Sequence, residues 1–375
     1  MGSAYDVVCE LEATVRAPAL RHLLSLLLPA APVAFVVTAP HRGWVAVALL
    51  SAPLLLVGID LIWSRLRPFA EDARENEALN EAVREKGGWP FDALLLVHAA
   101  LHFALLAGYL RLAHREGMGA ADFWVGAVLV GHNAGWSAII VAHELIHRRH
   151  RGLQLLGRAL LCTTFYEHFA TEHVRGHHVR VGTGDDPATA RFGESLSAFK
   201  RRTIPAQFRS AWRIECRRLG DEAMPFWDTR ILRSRVVHGL VAEAGLVVAA
   251  FVCLGPAAVV ALALQAWEAI GLLETVNYFE HWGLSRANRR VDVHDSWDTD
   301  SAFTRYALVG LARHADHHAH PARTYPTLRR VEESPKLPYG YPPMVLLATV
   351  WNARFRSVMT DALRRNALGP FARAD

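Results

Sequence analysis

The sequence has few cysteines, and no two of them are close enough to share a metal ion. Cys9, Cys162, Cys216 and Cys253 lie far apart among the 375 residues, and no CxxC motif occurs. This spacing indicates neither a disulfide framework nor a thiolate zinc or iron site. Redox chemistry in this chain is therefore not built on sulfur. Internal repeats and low-complexity linkers are missing as well.

The sequence also has no basic stripe interleaved with aromatic residues, the pattern typical of a nucleic-acid groove. The formal net charge is +5, from 41 lysines and arginines against 36 acidic residues. The basic residues are largely confined to the polar segments of the chain. Such segments favour membrane lipid or an acidic protein as a binding partner, and no nucleic acid is expected.

Long hydrophobic runs, in contrast, are abundant, because 52% of the residues are hydrophobic. A helix that crosses a bilayer needs roughly 20 apolar residues. Six runs qualify, at residues 20–38, 43–63, 91–112, 122–142, 236–254 and 257–278. Buried helices of a soluble all-α protein are the alternative, but several runs carry no charge through the middle. The sequence predicts an all-α integral membrane protein, with six transmembrane helices in one domain, residues 1–375, and a histidine-rich cytoplasmic cap.

The distribution of lysine and arginine between these runs predicts their orientation. Residues 64–89 and 148–235 are rich in arginine, whereas the short turns after residues 38 and 254 have almost none. The positive-inside rule then places both termini, both long polar segments and the histidine clusters in the cytoplasm. In a bacterium, the membrane concerned is the cytoplasmic, or inner, membrane.

The chain contains 20 histidines, many of them bunched into four clusters. The clusters occupy residues 143–150, 172–178, 277–283 and 313–321, at the ends of predicted helices or in the cap. Residues three or four apart share a face of a helix. We therefore expect three sets of imidazoles, each facing one point: His143 with His147, His173 with His177, and His314 with His317 and His318. His178 is expected to face a second point.

Nine histidines are the candidate metal ligands: His143, His147, His173, His177, His178, His281, His314, His317 and His318. Nine ligands exceed what one metal ion accepts, whereas two ions with four or five each keep open positions for O2. Imidazole suits zinc, copper, iron and nickel alike, so these ligands do not select the metal. The HELIH segment alone also matches a zinc protease with Glu144 as general base, but that enzyme would leave the other clusters unexplained.

Acidic residues accompany the histidines along the sequence: Glu144, Glu172, Glu280, Asp316, Asp185 and Asp186. Metal-bound imidazoles usually donate their second N–H group to a carboxylate or a carbonyl oxygen. We expect these acidic side chains to orient the histidines rather than to bind metal. Ordinary charges at helix ends are the alternative for each of them.

These elements resemble those of the membrane-bound alkane 1-monooxygenases, within the superfamily of integral-membrane fatty acid desaturases and hydroxylases. The resemblance rests on four histidine segments: HELIH at 143–147, EHVRGHH at 172–178, NYFEHWG at 277–283 and RHADHHAHP at 313–321. It extends from LPAAP at 28–32, through GDDPATARFGES at 184–195, to LPYGYPPM at 337–344. The family implies six transmembrane helices, two iron ions held by the nine histidines, and electrons from rubredoxin and rubredoxin reductase in trans.

The resemblance also implies a reaction, the O2-dependent hydroxylation of the terminal methyl group of a medium- to long-chain alkane. Alkylbenzene methyl hydroxylases of the xylene or cymene type, and fatty acyl desaturases or hydroxylases, are alternatives because they share much of the pattern. Arg148, Trp282 and Ala312 depart from the residues usual in the family. A non-enzymatic metal transporter is the alternative of a different class, and ionisable residues in mid-membrane would mark its path.

The second hydrophobic run carries a candidate residue of the substrate channel. In the resembled family, a bulky residue on this helix limits the chain length of the substrate. Counting back eight positions from Asp60, which resembles the family's aspartate near the end of that helix, reaches Ala52. A small side chain there predicts an open channel. Packing against a neighbouring helix is the alternative role of Ala52, since small residues commonly serve that purpose in membranes.

Overall fold

The computed structural model of the chain describes residues 14–66, 73–286 and 290–372, and within these ranges it forms helices and no β-strand. The helices are, in chain order, α1 (Thr14–Thr38), α2 (Gly43–Leu66), α3 (Ala73–Lys86), α4 (Trp89–Glu116), α5 (Ala121–Ile146), α6 (Arg151–Cys162), α7 (169–180), α8 (Leu196–Arg218), α9 (Arg235–Leu254), α10 (Pro256–His281), α11 (Ala302–Ala307), α12 (His314–Ala319), α13 (Tyr341–Val350) and α14 (Asn352–Arg365). The expected all-α fold is confirmed. The expected position of the two chain termini falls outside the described residues.

Six of these helices are long and apolar enough to cross a membrane, namely α1, α2, α4, α5, α9 and α10. Each extends beyond the corresponding hydrophobic run at one end or both, because polar residues complete its last turns. One extension at a C-terminus bears on the site: α5 continues past residue 142 to Ile146 and so includes His143. The prediction of six transmembrane helices is confirmed, with helix ends that carry functional side chains.

Helix α5 is the centre of the bundle and packs closely against α10. Of its most apolar stretch, 89% is buried, more than in the other five long helices. A Cβ atom on Gly131 would lie 2.6 Å from the carbonyl oxygen of Gln265, and one on Gly135 would lie 2.8 Å from the side chain of Leu272. The missing side chains therefore let the two backbones approach each other. This contact holds the C-terminal ends of α5 and α10 side by side.

Helix α6 runs back into the bundle along the end of α5. A Cβ atom on Gly157 would lie 3.0 Å from the carbonyl oxygen of Ala142. Just beyond α6, the Nε2 atom of His102 lies 2.8 Å from the hydroxyl of Thr163, and the Gln265 side chain donates to the Thr163 carbonyl. His102 and Gln265 lie near the middle of α4 and α10. The last turn of α6, with Leu160 and Leu161 buried, therefore packs inside the bundle.

The C-terminal half of α2 is fastened to the later part of the chain by Asp60. This carboxylate is fully buried and accepts hydrogen bonds from the hydroxyls of Ser301 and Thr304. The backbone N–H of Tyr341 donates in turn to the Thr304 hydroxyl, at 2.9 Å. A Cβ atom on Gly340 would overlap the Asp60 carboxylate. The chain before α13 thus packs directly on α2, and only glycine fits there.

The close approach of α5 and α10 can be tested by adding a methyl group to it. Gly131→Ala should lower the stability of the purified protein, because overpacking of a dense contact typically costs about 1–3 kcal/mol. The matched control is Gly245→Ala on α9, where an added Cβ atom meets nothing within 4 Å. Thermal unfolding in detergent should show a lower midpoint for the first variant only. Equal midpoints in both variants would contradict the packing described for α5 and α10.

Candidate metal centre

The nine predicted histidines converge in two groups at one end of the helix bundle. The first group is His143, His147, His173, His178 and His317, and the second is His177, His281, His314 and His318. Within each group, the candidate ligand atoms all lie within 4.8 Å of one another. Helices α7, α10 and α12 supply seven of them, and α5 supplies His143 with His147 just beyond its end, so residues far apart in sequence meet at one place. The site offers five imidazoles to one ion and four to another.

The Nε2 atoms of all nine rings fit a metal and little else. Four of these atoms, on His143, His147, His177 and His317, are buried with no hydrogen-bond partner. The other five lie against another imidazole nitrogen, for example His173 and His178 at 3.0 Å, and His281 and His314 at 3.2 Å. Two nitrogens bound at right angles, each about 2.1 Å from one ion, lie about 3 Å apart. The arrangement therefore suits two bound cations.

The distribution of histidines between the groups differs from the sequence prediction. His173 was expected to pair with His177, but its partner is His178, and His177 belongs to the other group. The reason is a π-helical turn at His173–His177, which brings residues five apart, rather than four, to the same side. On α12, His314 and His318 stay together, whereas His317 turns to the first group. The expected shared face of all three α12 histidines is therefore wrong.

Burial holds the imidazoles outside the long helices in their neutral form, the form that binds metals. Burial and the nearby His177 lower the pKa of His147 to about 4. Burial and neighbouring imidazoles likewise lower the pKa well below 6.5 for His173, His178, His314, His317 and His318. Protonated imidazoles packed this closely would repel one another. The imidazoles therefore stay unprotonated, and their free nitrogens can bind metal cations.

Two ligands are oriented through their second ring nitrogen, as expected from metal sites generally. The Nδ1 atom of His177 lies 2.8 Å from Asp186, whose same oxygen accepts from Thr189 at 2.6 Å. Burial alone would raise the pKa of Asp186, but His177 and the Thr189 hydroxyl lower it below its ordinary value. On α10, the Nδ1 atom of His281 lies 3.3 Å from the carbonyl oxygen of Asp295. Both contacts leave Nε2 free for a metal.

Glu280 points into the second group rather than to its rim. One carboxylate oxygen lies 3.3 Å from the Nε2 atom of His314, which is a candidate ligand atom. The other oxygen accepts a hydrogen bond of 2.6 Å from the Tyr341 hydroxyl. Tyr341 was not predicted as a site residue, although it belongs to the LPYGYPPM segment that carries part of the resemblance. Its role shows only once α13 is packed against α10.

Three of the other predicted carboxylates contact arginines instead of ligand imidazoles. Glu144 forms an ion pair with Arg148, Glu172 with Arg180, and Asp316 with Arg323. Asp185 is exposed and faces neither group, whereas its neighbour Asp186 is buried. With Glu144 paired in this way and nine imidazoles assembled, the geometry disfavours a zinc protease, which needs a free general base.

Gly176, in the histidine cluster at residues 172–178, leaves room for the ion pair between Glu172 and Arg180. A Cβ atom on Gly176 would lie 2.5 Å from an oxygen of Glu172 and 2.5 Å from the Arg180 guanidinium. The pair spans the π-helical turn that carries His173 and His177, together with His178 just after it. Arg180 was not predicted as part of the site, because nothing in its spacing distinguishes it from the other arginines of the segment.

The region that contains the nine histidines is similar in sequence to known proteins. The sequence model of the fatty acid desaturase family matches residues 121–348, which contain all nine ligands. The chain is 32% identical over 362 residues to alkane 1-monooxygenase 1 of Alcanivorax borkumensis, covering 93% of this chain and 86% of that protein. It is also 32% identical over 355 residues to the alkane 1-monooxygenase of Pseudomonas putida, covering 90% and 83%.

A more distant similarity concerns an enzyme named for aromatic compounds. The hydroxylase component of the xylene/toluene monooxygenase of Pseudomonas putida is 26% identical over 206 residues. That match covers 55% of each chain. Both identity and coverage are lower than for the alkane 1-monooxygenases.

The two groups predict two metal ions per chain, each dependent on its own histidines. His143→Ala removes a ligand of the first group, and His177→Ala removes one of the second. Each variant should reduce the metal content from two ions toward about one, as measured by mass spectrometry of the purified protein. His114→Ala and His238→Ala serve as controls because both side chains are exposed and belong to neither group. A wild-type content of one ion, or equal losses in the controls, would contradict the arrangement.

Proposed function

The chain belongs to the alkane 1-monooxygenases, within the fatty acid desaturase family, and from this membership we propose that it hydroxylates the terminal methyl group of a medium- to long-chain alkane. One atom of O2 enters a C–H bond to give a primary alcohol. The other atom is reduced to water with two electrons and two protons. An apolar substrate suits an integral membrane protein, because it partitions into the bilayer and can reach the site between helices.

We propose that the two histidine groups hold two iron ions. The observation that carries this proposal is the convergence of nine imidazoles in sets of five and four, with four of their Nε2 atoms buried and without a hydrogen-bond partner. Imidazole binds several transition metals, so the choice of iron rests on the reaction that the family performs. When bound, the metals supply the activation of O2 that attack on an unactivated C–H bond requires.

The protein itself supplies orientation and a dry surrounding. Asp186, the Asp295 carbonyl and the paired helices fix the imidazoles, as described above. One to two turns before the ligands, α5 and α10 contribute Trp136, Ile139 and Leu272, all buried. These side chains exclude water from the bilayer side of the metals. A methyl group arriving from the membrane interior would meet an apolar surface up to the metal ligands.

Two histidines inside the long helices, His98 and His102, are engaged in hydrogen bonds with hydroxyls, which disfavours their use as a path for metal ions in a transporter. His98 lies 2.7 Å from the hydroxyls of both Ser25 and Ser137. His102 lies 2.8 Å from the hydroxyl of Thr163. These rings are engaged with hydroxyls and remote from both histidine groups.

A small cavity between α1, α2 and α5 supports the assignment of Ala52 to the substrate channel. Its volume is about 40 Å³, and Ala52, Pro32, Leu56 and Trp136 are among the residues that line it. Ala52 is the first residue of the second segment of α2, after a turn that interrupts the helix. The methyl side chain leaves this space open, whereas an indole ring would fill it. We propose that residue 52 limits how far a long substrate extends.

Ala52→Trp should shorten the preferred alkane and leave the iron content unchanged. The measurement is the ratio of alcohols formed from octane, dodecane and hexadecane in a competition assay. Activity on the longest chain should fall at least tenfold relative to the shortest, because the channel is shorter. Ala48→Trp on the same helix is the control, since Ala48 is exposed and does not line the cavity. A length profile in Ala52→Trp equal to that of the wild type would remove Ala52 from the channel.

We also propose that electrons come from rubredoxin, reduced by rubredoxin reductase, on the cytoplasmic side of the inner membrane. One observation supports this. The histidine groups lie at the end of the bundle where the arginine-rich segments gather, as the positive-inside rule expects of a cytoplasmic face. Turnover should therefore require an added carrier, and its rate should fall as salt rises.

Product analysis tests the proposed function directly. Cells that express the protein receive a linear alkane, p-xylene or a fatty acid, and the products are identified by mass spectrometry. A primary alcohol from the alkane is the expected result, with two iron atoms per chain in the purified protein. An alkene or an altered fatty acid would favour a desaturase or a fatty acyl hydroxylase. Oxidation of p-xylene alone would favour the alkylbenzene hydroxylases, in agreement with the more distant similarity.

A further inference from the structure

A cavity outside the metal centre is lined by four arginines. It lies where α6, α7 and the first turn of α9 meet, and its volume is about 370 Å³. Arg151, Arg158, Arg175 and Arg235 line it, together with apolar side chains that include Ile146 and Leu155. Neither the metal site nor the proposed channel uses this cavity. A concentration of guanidinium groups in a concave site requires a physical explanation.

One of these four guanidinium groups forms an ion pair with a carboxylate of the described residues, namely Arg158 with Glu167. The guanidinium groups of Arg151, Arg175 and Arg235 form no ion pair or hydrogen bond with the described residues. Arg158 and Arg175 lie close enough to Arg235 to repel its charge, and the nearby Glu215 offsets that repulsion only in part. The cavity therefore holds an excess of positive charge that an anion would relieve.

Several other arginines of the polar segments pair with carboxylates. Arg202 binds Glu194, Arg180 binds Glu172, and Arg218 binds Glu215. In the cavity, by contrast, four arginines share one ion-paired carboxylate among the described residues, that of Glu167. Such a grouping is expected where the missing anion is a ligand.

The cavity lies at the level where the long helices end. Ile146 is the last residue of α5, and Arg235 is the first residue of α9. Leu155 is 65% exposed on the outer face of α6, and Trp227, eight residues before α9, is 73% exposed. Exposed leucine and tryptophan next to arginine are typical of the boundary between hydrocarbon and headgroups. An anion at this level of a membrane protein is most readily a lipid phosphate.

We propose that this cavity binds the phosphate of an anionic phospholipid, with the acyl chains lying along Leu155 and the neighbouring apolar surface. Guanidinium groups match phosphate oxygens by paired hydrogen bonds, and basic pockets between transmembrane helices commonly hold lipid headgroups. Arg175 lies in the π-helical turn that carries His173 and His177. A bound lipid would therefore also fix the helix that contributes to both histidine groups.

The proposal is tested on the full, metal-loaded protein by native mass spectrometry and thermal unfolding. Protein in detergent is titrated with dioleoylphosphatidylglycerol, with dioleoylphosphatidylcholine, or with inorganic phosphate. The anionic lipid should remain bound and raise the unfolding midpoint, since a ligand of the native state stabilises it. The zwitterionic lipid should do so less. The double variant Arg175→Gln/Arg235→Gln should weaken binding of the anionic lipid at least tenfold.

A second double variant controls for the change in net charge. Arg201→Gln/Arg354→Gln removes two exposed arginines that do not line the cavity, and its lipid binding should equal that of the wild type. Equal weakening in both variants would reduce the effect to net charge and overturn the site. Protection by inorganic phosphate at the same concentrations would assign the cavity to a soluble anion instead. Unchanged lipid binding in Arg175→Gln/Arg235→Gln, combined with slower electron delivery, would assign it to an acidic protein.

Discussion

Nine imidazole nitrogens directed at two points are the constraint on which this structure depends. Burying a polar atom without a hydrogen-bond partner lowers the stability of the folded protein, and here several such atoms lie within one small volume. Only cations can satisfy all nine atoms together, since adjacent imidazoles cannot all donate to one another. The surrounding helices must then hold the rings in place against their mutual crowding. The close packing of α5 against α10 helps to hold the rings in place. The buried carboxylate of Asp186 does the same for His177, because it contacts the Nδ1 atom of that ring.

The sequence was sufficient for the architecture and for the identity of the converging residues. Hydrophobic runs of the length of a bilayer predict six helices, and clustered histidines at their ends predict where those helices must meet. These two features are local and depend on composition and spacing. The same reasoning could not reveal that α6 returns into the bundle, because its charged residues resemble those of a surface helix. Its buried leucines find their partners only in the folded bundle.

The assignment of each histidine to a group was also beyond the sequence. Spacing arguments assume 3.6 residues per turn, and the π-helical turn at His173–His177 breaks that assumption. The pairing of His173 with His178 therefore follows from backbone geometry rather than from the motif. The contacts of the carboxylates were also beyond the sequence. Six acidic residues lie near the histidines in sequence, but only Asp186 and Glu280 contact a ligand imidazole. Arginines compete for the others, and sequence spacing does not predict which partner a carboxylate will bind.

A continuous set of contacts joins α2, which carries the proposed channel residue, to the second histidine group. Asp60 accepts from Ser301 and Thr304, Thr304 accepts from the Tyr341 N–H, and the Tyr341 hydroxyl donates to Glu280, which faces His314. Ala52 lies eight residues before Asp60, about 12 Å away along the helix. The distance between the cavity and the histidine groups is thus set by one helix and its anchor. The proposed selection of substrates by length requires such a fixed distance, and the buried carboxylate of Asp60 is the anchor.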